Sequence, residues 1–126
     1  MTRIPDRETV SRAIANAENG TTGRIHVALL DDKRVEDPIG RARAIFSRLD
    51  HAGNAGVLIL VAPRARRFAV IGDDAVHERA GDELWQSVTG AMGSHFANDD
   101  IEGGISHGLD LLGDALRRHH PDEGQS

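Results

Sequence analysis

The stretch VLILVA at residues 57–62 is an unbroken apolar run that is rich in branched side chains. Such a run predicts a central β-strand that is buried on both faces. The turn-forming sequence PRAR follows at 63–66, and a second apolar run, FAVI, occupies 68–71. Because the connection is so short, the two runs are predicted to form an antiparallel hairpin. This hairpin is the centre from which the rest of the fold is assembled.

A third strand is predicted upstream, where Ile25, Val27 and Leu29 alternate with other residues. Between this strand and the run at 57–62, Asp37-Pro38 is typical of a helix start, with a capping carboxylate followed by proline. A strand joined to another through a helix is normally parallel to it. The first and second strands should therefore run parallel, and the hairpin reverses the third. The predicted inner face of the intervening helix consists of Ile39, Ala42, Ile45, Phe46 and Leu49.

Three further helices are predicted from apolar spacing and end signals. The first is capped by Asp6 and stops at Asn19-Gly20, and the last starts near Asn98-Asp99 and ends before Pro121. The helix between them carries Leu84, Trp85, Val88, Met92 and Phe96. The order α-β-α-β-β-α-α, with helices for both faces of a mixed sheet, predicts an α/β sandwich. We expect one domain over residues 1–121 and a loose polar tail at 122–126.

Composition excludes several classes of function. The chain has 126 residues and no cysteine, so disulfides, thiolate metal sites and cysteine nucleophiles are excluded. Aromatic residues make up only 3%, and the formal net charge is −5, which disfavours nucleic acids and anionic membranes as partners. The glycine-rich fingerprints of nucleotide and dinucleotide sites are missing, so no nucleotide cofactor is expected. A protein partner remains open.

Neither the length of the apolar runs nor the N-terminal residues indicate a membrane segment. The longest run falls far short of the roughly 20 residues that a spanning helix needs. Residues 1–6, MTRIPD, lack the apolar region of a signal peptide. As given, the chain is predicted to be cytoplasmic, or to be a mature form from which a signal has been removed.

The predicted topology brings polar residues from three segments to one end of the sheet. The third strand ends at Asp73 and Asp74, where the first strand starts after Thr22 and the second after Asn54. Such oxygen ligands suit calcium or magnesium, which would also relieve the repulsion between adjacent carboxylates. His77 follows closely and is a candidate acid/base or supporting group. In the alternative interpretation, the two aspartates cap the next turn and are solvated.

Other polar groups have simpler explanations. Asp31-Asp32 and Asp99-Asp100 are expected at the opposite end of the sheet, as helix caps and soluble loops. Arg64, Arg66 and Arg67 form a basic hairpin tip, for which a solvated turn is the simplest interpretation. His119-His120 is placed at a helix C-terminus, where imidazolium favours the helix dipole. Trp85 is assigned to the core by its helical spacing.

Three segments together resemble the TPM domain family. They are A-I-x-x-A-E-x-x-T-x-G-x-I at 13–25, G-V-L-I at 56–59, and R-x-F-A-V-I-G-D-x-x-V-H-E-x-x-G-D-x-x-W at 66–85. The family includes a thylakoid acid-phosphatase-like protein, a photosystem repair factor and a channel accessory protein. The resemblance covers about residues 6–121 and implies an α/β sandwich, often with calcium or magnesium near the glycine-aspartate motif, here Gly72-Asp73.

The chain departs from the family pattern near this motif, since members commonly read T-S-G-E-I where this chain has Arg24 in place of the glutamate. Arg24 is a candidate partner that would neutralise Asp73 without metal. Our leading hypothesis is a stand-alone binding or accessory module with a weak divalent-cation site. The alternative is a metal-assisted phosphomonoesterase, in which Asp73 holds the metal and Asp74 or His77 acts on the attacking water or the leaving group.

Overall fold

The computed structural model describes residues 5–49 and 55–121. The chain forms helix α1 and strand β1, then helix α2, the hairpin of β2 and β3, and finally helices α3 and α4. Their bounds are α1 Arg7–Glu18, β1 Arg24–Leu29, α2 Pro38–Phe46, β2 Gly56–Ala62, β3 Arg67–Gly72, α3 Asp74–Ala97 and α4 Ile101–His119. The predicted order α-β-α-β-β-α-α is confirmed.

The sheet has three strands in the order β1-β2-β3. β1 runs parallel to β2, with Arg24 opposite Gly56, and β3 runs antiparallel to β2, with Gly72 opposite Val57. Every residue of β2 is buried, as expected for a central strand that is covered on both faces. A short 3₁₀ turn at Pro63–Ala65 closes the hairpin. Both the antiparallel pairing of the two runs and the deep burial of the run at 57–62 are as predicted.

The two faces of the sheet are covered unequally. One face carries Ile25, Val57 and Ile59, against which α1, α3 and α4 pack the larger core. The other face carries Leu58 and Leu60, and among the described helices α2 covers it. The alternation along β2 sends successive side chains to opposite faces, which is why one apolar run supplies both cores. The predicted α/β sandwich is therefore a three-layer structure.

Two details of the helices differ from the sequence prediction. Ile39 was expected on the inner face of α2 but is 50% exposed; it lies in the first turn of the helix, whereas Ala42, one turn later on the same face, is fully buried. The last helix begins later than Asn98-Asp99: its capping residue is Asp100. Asp99 instead adopts a left-handed conformation, φ 58°, in the tight turn between α3 and α4.

Helix α3 is interrupted near its start. Gly81 has φ 74° and ψ 177°, values that lie outside the helical region and that glycine adopts without steric cost. The break separates a short segment at 74–80 from the longer segment that packs on the sheet. Among the helices of the described residues, none is long and apolar enough to cross a bilayer.

Candidate functional site

The starts of β1 and β2 and the end of β3 meet at one end of the sheet, which we call the rim (residues 21–24, 55–56 and 72–77). The register joins the segments directly: the Arg24 amide donates to the Ala55 carbonyl at 2.7 Å, and Val57 lies opposite Gly72. The predicted convergence of these segments is therefore confirmed. Asn54, one of the candidate ligands, lies outside the described residues.

Asp73 is the best-anchored carboxylate of the rim. One of its oxygens, Oδ1, accepts a hydrogen bond from the Val76 amide at 3.1 Å, which caps the first turn of α3. The other, Oδ2, accepts from the Gly56 amide at 2.9 Å, at the start of β2. The carboxylate thus ties a helix N-terminus to a strand. This arrangement satisfies two backbone donors with one side chain; the capping interpretation of the aspartate pair anticipated the hydrogen bond to α3 but not the one to β2.

Asp74 and Thr22 are exposed at the rim. Within the parts of the chain that the structure describes, neither side chain forms a hydrogen bond or ion pair. Arg24 is exposed as well, and no ion pair joins it to Asp73, so the predicted neutralising pair is not formed. Within residues 5–49 and 55–121, no three histidine, aspartate or glutamate side chains are close enough together to hold a metal ion.

Trp85 packs against two residues of the rim, Gly72 and His77, and gives the rim an apolar side. A methyl group in place of the Gly72 hydrogen would lie 2.6 Å from Cη2 of Trp85, so the indole ring lies directly on the backbone of Gly72. The His77 ring packs on the indole, with ring centroids 4.8 Å apart. The Trp85 Nε1 donor is buried without a hydrogen-bond partner. Trp85 therefore contributes to the core and also places an unsatisfied N–H beside the glycine-aspartate motif.

Residues 120 and 121, directly after α4, return to the rim, a contact that sequence reasoning missed. The Thr22 amide donates to the His120 carbonyl at 3.1 Å, and Thr21 forms a β-bridge with Pro121. The buried Thr21 hydroxyl contacts the carbonyls of Leu116 and His120 and accepts from the Gly23 amide at 3.0 Å. Thr21 therefore fastens the end of α4 to the start of β1. The only sequence signal for this return is the His120-Pro121 pair after the last helix.

His120 is partly buried beside the rim rather than being a surface cap. Burial lowers the pKa of its imidazole, and the positive charge of Arg79 lowers it further, while Asp73 acts in the opposite direction. The Arg79 guanidinium donates to the His119 carbonyl at 3.0 Å, which holds it near the end of α4. The His120 Nε2 atom is buried without a hydrogen-bond partner. Sequence reasoning treated this residue as a solvated helix end and so missed it.

At the opposite end of the sheet, the acidic pairs and the basic hairpin tip combine. Arg64 forms an ion pair with Asp31 at 3.3 Å, and Arg66 forms one with Asp99 at 3.4 Å. All four side chains are well exposed, so each pair contributes little to stability. The two features that the sequence suggested separately are thus one region of mutually neutralised surface charge.

Comparison with known proteins places this geometry in a family. The TPM domain matches residues 5–115. Among solved structures, the NMR structure of BA42 from the psychrophilic bacterium Bizionia argentinensis is similar, with a TM-score of 0.83 and 26% identity over 100% of this chain and 93% of that chain. The N-terminal domain of cg2496 from Corynebacterium glutamicum shares the fold, with a TM-score of 0.70 and 16% identity over 90% of this chain and 74% of that chain. A comparison with curated proteins gives no match. Since the family match spans most of the chain, this protein belongs to the TPM domain family.

Proposed function

We propose that this TPM domain is a binding or accessory module whose rim carries a weak site for calcium or magnesium at Asp73 and Asp74. The observation that carries the proposal is the contrast between the two carboxylates. Asp73 is fixed by two backbone amides, and the neighbouring Asp74 is exposed and unpaired among the described residues. A fixed and a free carboxylate side by side favour a cation that bridges them.

The chemistry of the two groups supports a hard cation. Each carboxylate oxygen has two lone pairs, so Asp73 retains acceptor capacity after its two amide hydrogen bonds. Calcium and magnesium take carboxylate, hydroxyl and carbonyl oxygens, and Thr22 adds an exposed hydroxyl at the same rim. The affinity should be low, because it depends on the number of charged ligands and only two carboxylates contribute.

The geometry favours binding over catalysis. A metal-assisted phosphomonoesterase would need an acid/base group within hydrogen-bonding reach of the metal-bound water or the leaving group. Across the described residues, the imidazole of His77 forms no hydrogen bond with either carboxylate, and its ring packs on Trp85 instead. The capping role of Asp73 also restricts its freedom to rearrange around a substrate. We therefore propose the accessory role and treat the phosphatase as the alternative outcome of the test.

The test is a titration of the full chain with calcium and, separately, magnesium, followed by backbone amide shifts. Asp74→Asn is the informative variant, because it removes a ligand charge without removing the cap of α3. Asp82→Asn is the matched control, since it removes an exposed aspartate from the same helix. We expect shifts confined to the rim, and a rise in melting temperature in millimolar calcium, because a ligand stabilises the state that it binds. Both effects should vanish in Asp74→Asn and persist in Asp82→Asn.

The outcomes separate the hypotheses. Amide shifts that survive in Asp74→Asn would contradict the proposed cation site, as would the absence of any amide shift at the rim. In either case the domain would be a scaffold that binds no cation at the rim. Hydrolysis of p-nitrophenyl phosphate that requires the cation and is lost in Asp74→Asn would replace the accessory role by the phosphatase.

A further inference from the structure

A second cluster of polar side chains lies where α3 ends and α4 begins, away from the rim. It comprises His95 in the last turn of α3, Asp100 at the N-cap of α4, and His107 in the second turn of α4. The Nδ1 atom of His95 is 2.9 Å from Oδ2 of Asp100. The Nε2 atom of His95 is 3.3 Å from Nδ1 of His107. The three side chains thus form a chain of close polar contacts on the surface.

The contacts define which ring atoms carry lone pairs. An ionised carboxylate only accepts hydrogen bonds, so Nδ1 of His95 donates its proton to Asp100. In the neutral imidazole, Nε2 of His95 is then the atom with the lone pair, and it faces His107. A single proton, carried by Nδ1 of His107, occupies the space between the two rings. Moving that proton to Nε2 of His107 would leave two nitrogen lone pairs facing the same point.

The geometry points to a zinc site formed by Nε2 of His95 and Nδ1 of His107. Zinc binds imidazole nitrogens at roughly 2.0–2.1 Å with tetrahedral angles, which places two such nitrogens about 3.3 Å apart. The separation here is 3.3 Å, with the ring centroids 5.4 Å apart and the rings nearly perpendicular at 84°. The two nitrogens therefore already have the spacing that a shared tetrahedral ion requires.

Asp100 supplies the support that zinc-binding histidines usually have. The second nitrogen of such a histidine commonly donates to a carboxylate, which fixes the ring orientation and strengthens the ligand. Asp100 is itself held in place, because its Oδ1 accepts from the Gly103 amide at 2.9 Å as the cap of α4. The carboxylate thus orients His95 from an anchored position. Nothing in this arrangement is shared with the rim.

The spacing of the two histidines is fixed by close packing of their helices. A Cβ at Gly104 would overlap the ring of Phe96, and one at Gly108 would lie 2.6 Å from Sδ of Met92. These glycines flank His107 on α4, and the two large side chains flank His95 along α3. The two helices are therefore packed tightly on either side of the histidine pair, which reduces the entropy lost when the pair binds an ion.

Two imidazole ligands favour a transition metal such as zinc over calcium or magnesium. Imidazole nitrogens suit zinc, copper and nickel, whereas calcium and magnesium prefer oxygen ligands. Since no third histidine, aspartate or glutamate joins the pair within the described residues, water completes the coordination. A site with two open positions binds zinc more weakly than a closed structural site and leaves room for an exogenous ligand.

The test is a titration of the metal-free full chain with zinc chloride, followed by calorimetry and by the ring proton shifts of the seven histidines. We expect one zinc ion per chain, with shifts of His95 and His107. His107→Gln should lower the association constant by more than about tenfold, and Asp100→Asn, which keeps the cap, should lower it by roughly tenfold. His119→Gln, at the far end of α4, is the matched control and should retain binding, as should Asp74→Asn.

Thermal melts of each variant test whether the fold is intact and so separate a loss of zinc binding from a loss of structure. Zinc affinity that is unchanged in His107→Gln would overturn the site, as would the absence of zinc binding by the wild-type chain. Shifts confined to histidines other than His95 and His107 would do the same. Because the rim proposal is tested with calcium and Asp74→Asn, either proposal can fail without the other.

Discussion

Asp73 and Gly56 are joined by two hydrogen bonds in opposite directions. The Gly56 amide donates to the Asp73 carboxylate at 2.9 Å, and the Asp73 amide donates to the Gly56 carbonyl at 3.0 Å. The pair continues the β2–β3 ladder one step past the end of β3, with a side chain replacing one backbone acceptor. The residue that caps α3 thereby also secures the first residue of the central strand.

Replacing Asp73 should therefore destabilise the protein without any cation present. In Asp73→Asn, the new side chain can still cap α3 through its amide oxygen but has no second oxygen for the buried Gly56 amide. We expect a loss of about 1–3 kcal/mol in the free energy of unfolding for Asp73→Asn, and about 2–4 kcal/mol for Asp73→Ala, which also loses the cap. Urea unfolding in the presence of a chelator measures both.

Asp74→Asn is the control for this prediction and should change the free energy of unfolding by less than about 0.5 kcal/mol, as exposed substitutions usually do. Equal losses for Asp73→Asn and Asp74→Asn would contradict the structural role and would indicate that net charge at the rim, rather than the Gly56 hydrogen bond, determines stability.

Gly72 and Trp85 should be energetically coupled. In Gly72→Ala the new methyl group meets the six-membered ring of the indole, 2.6 Å from Cη2, and we expect a loss of about 1–3 kcal/mol from overpacking. In a Trp85→Phe background that outer ring is missing, and the same glycine substitution should cost less than about 1 kcal/mol. A double-mutant cycle followed by urea unfolding measures the coupling. Additive losses would show that the indole moves away from Gly72 at little cost.

The stability of the protein should depend on pH through His120. Its pKa in the folded state lies below the ordinary value of about 6.5, because burial and Arg79 disfavour the charged form. The unfolded chain therefore binds more protons, so stability falls as the pH drops through 6.5 toward the folded-state pKa, and is fully present above that window. The difference in unfolding free energy between about pH 8 and about pH 5.5, roughly one unit below the ordinary pKa, should be smaller in His120→Gln than in the wild type.

Arg79→Gln tests the cause of this shift. Removing the guanidinium charge should raise the pKa of His120 toward its ordinary value and give a pH dependence between those of the wild type and His120→Gln. Identical slopes in all three proteins would mean that His120 does not titrate differently in the folded and unfolded states.

Sequence patterns predicted the architecture because each pattern depends only on residues that are close together in the sequence. The apolar run of β2, the brief turn after it and the Asp37-Pro38 helix start each depend on neighbouring residues, and together they fix the strand directions. The convergence at the rim followed from those directions. The prediction that Ile39 is buried was wrong because helical spacing identifies the side of the helix that faces the sheet but not how far along the helix the sheet extends.

The chemistry of the rim could not be predicted in the same way. The second hydrogen bond of Asp73 depends on the register between β2 and β3, which alternation alone does not specify. The burial of His120 depends on where the chain returns after α4, and that path is set by packing of α4 against α1 and the sheet. The contact of His95 with His107 accompanies a left-handed turn at Asp99, a conformation that aspartate adopts only occasionally, so the sequence alone did not place the turn there.

The break at Gly81 divides α3 into two segments that differ in how they open: one opens together with the core and the other can open locally. The longer segment, which carries Val88 and Met92, is anchored by the main core and can open only when that core opens. The first two turns, at 74–80, bury only Val76 completely and are held by the Asp73 cap, by the packing of His77 on Trp85 and by the hydrogen bond from Arg79 to the His119 carbonyl. Since the backbone leaves the helical conformation at Gly81, the first segment can exchange its amide hydrogens through a local opening that leaves the rest of the domain folded. A ligand or partner at the rim would close that local opening, and would be detected as protection from exchange rather than as a change in the fold.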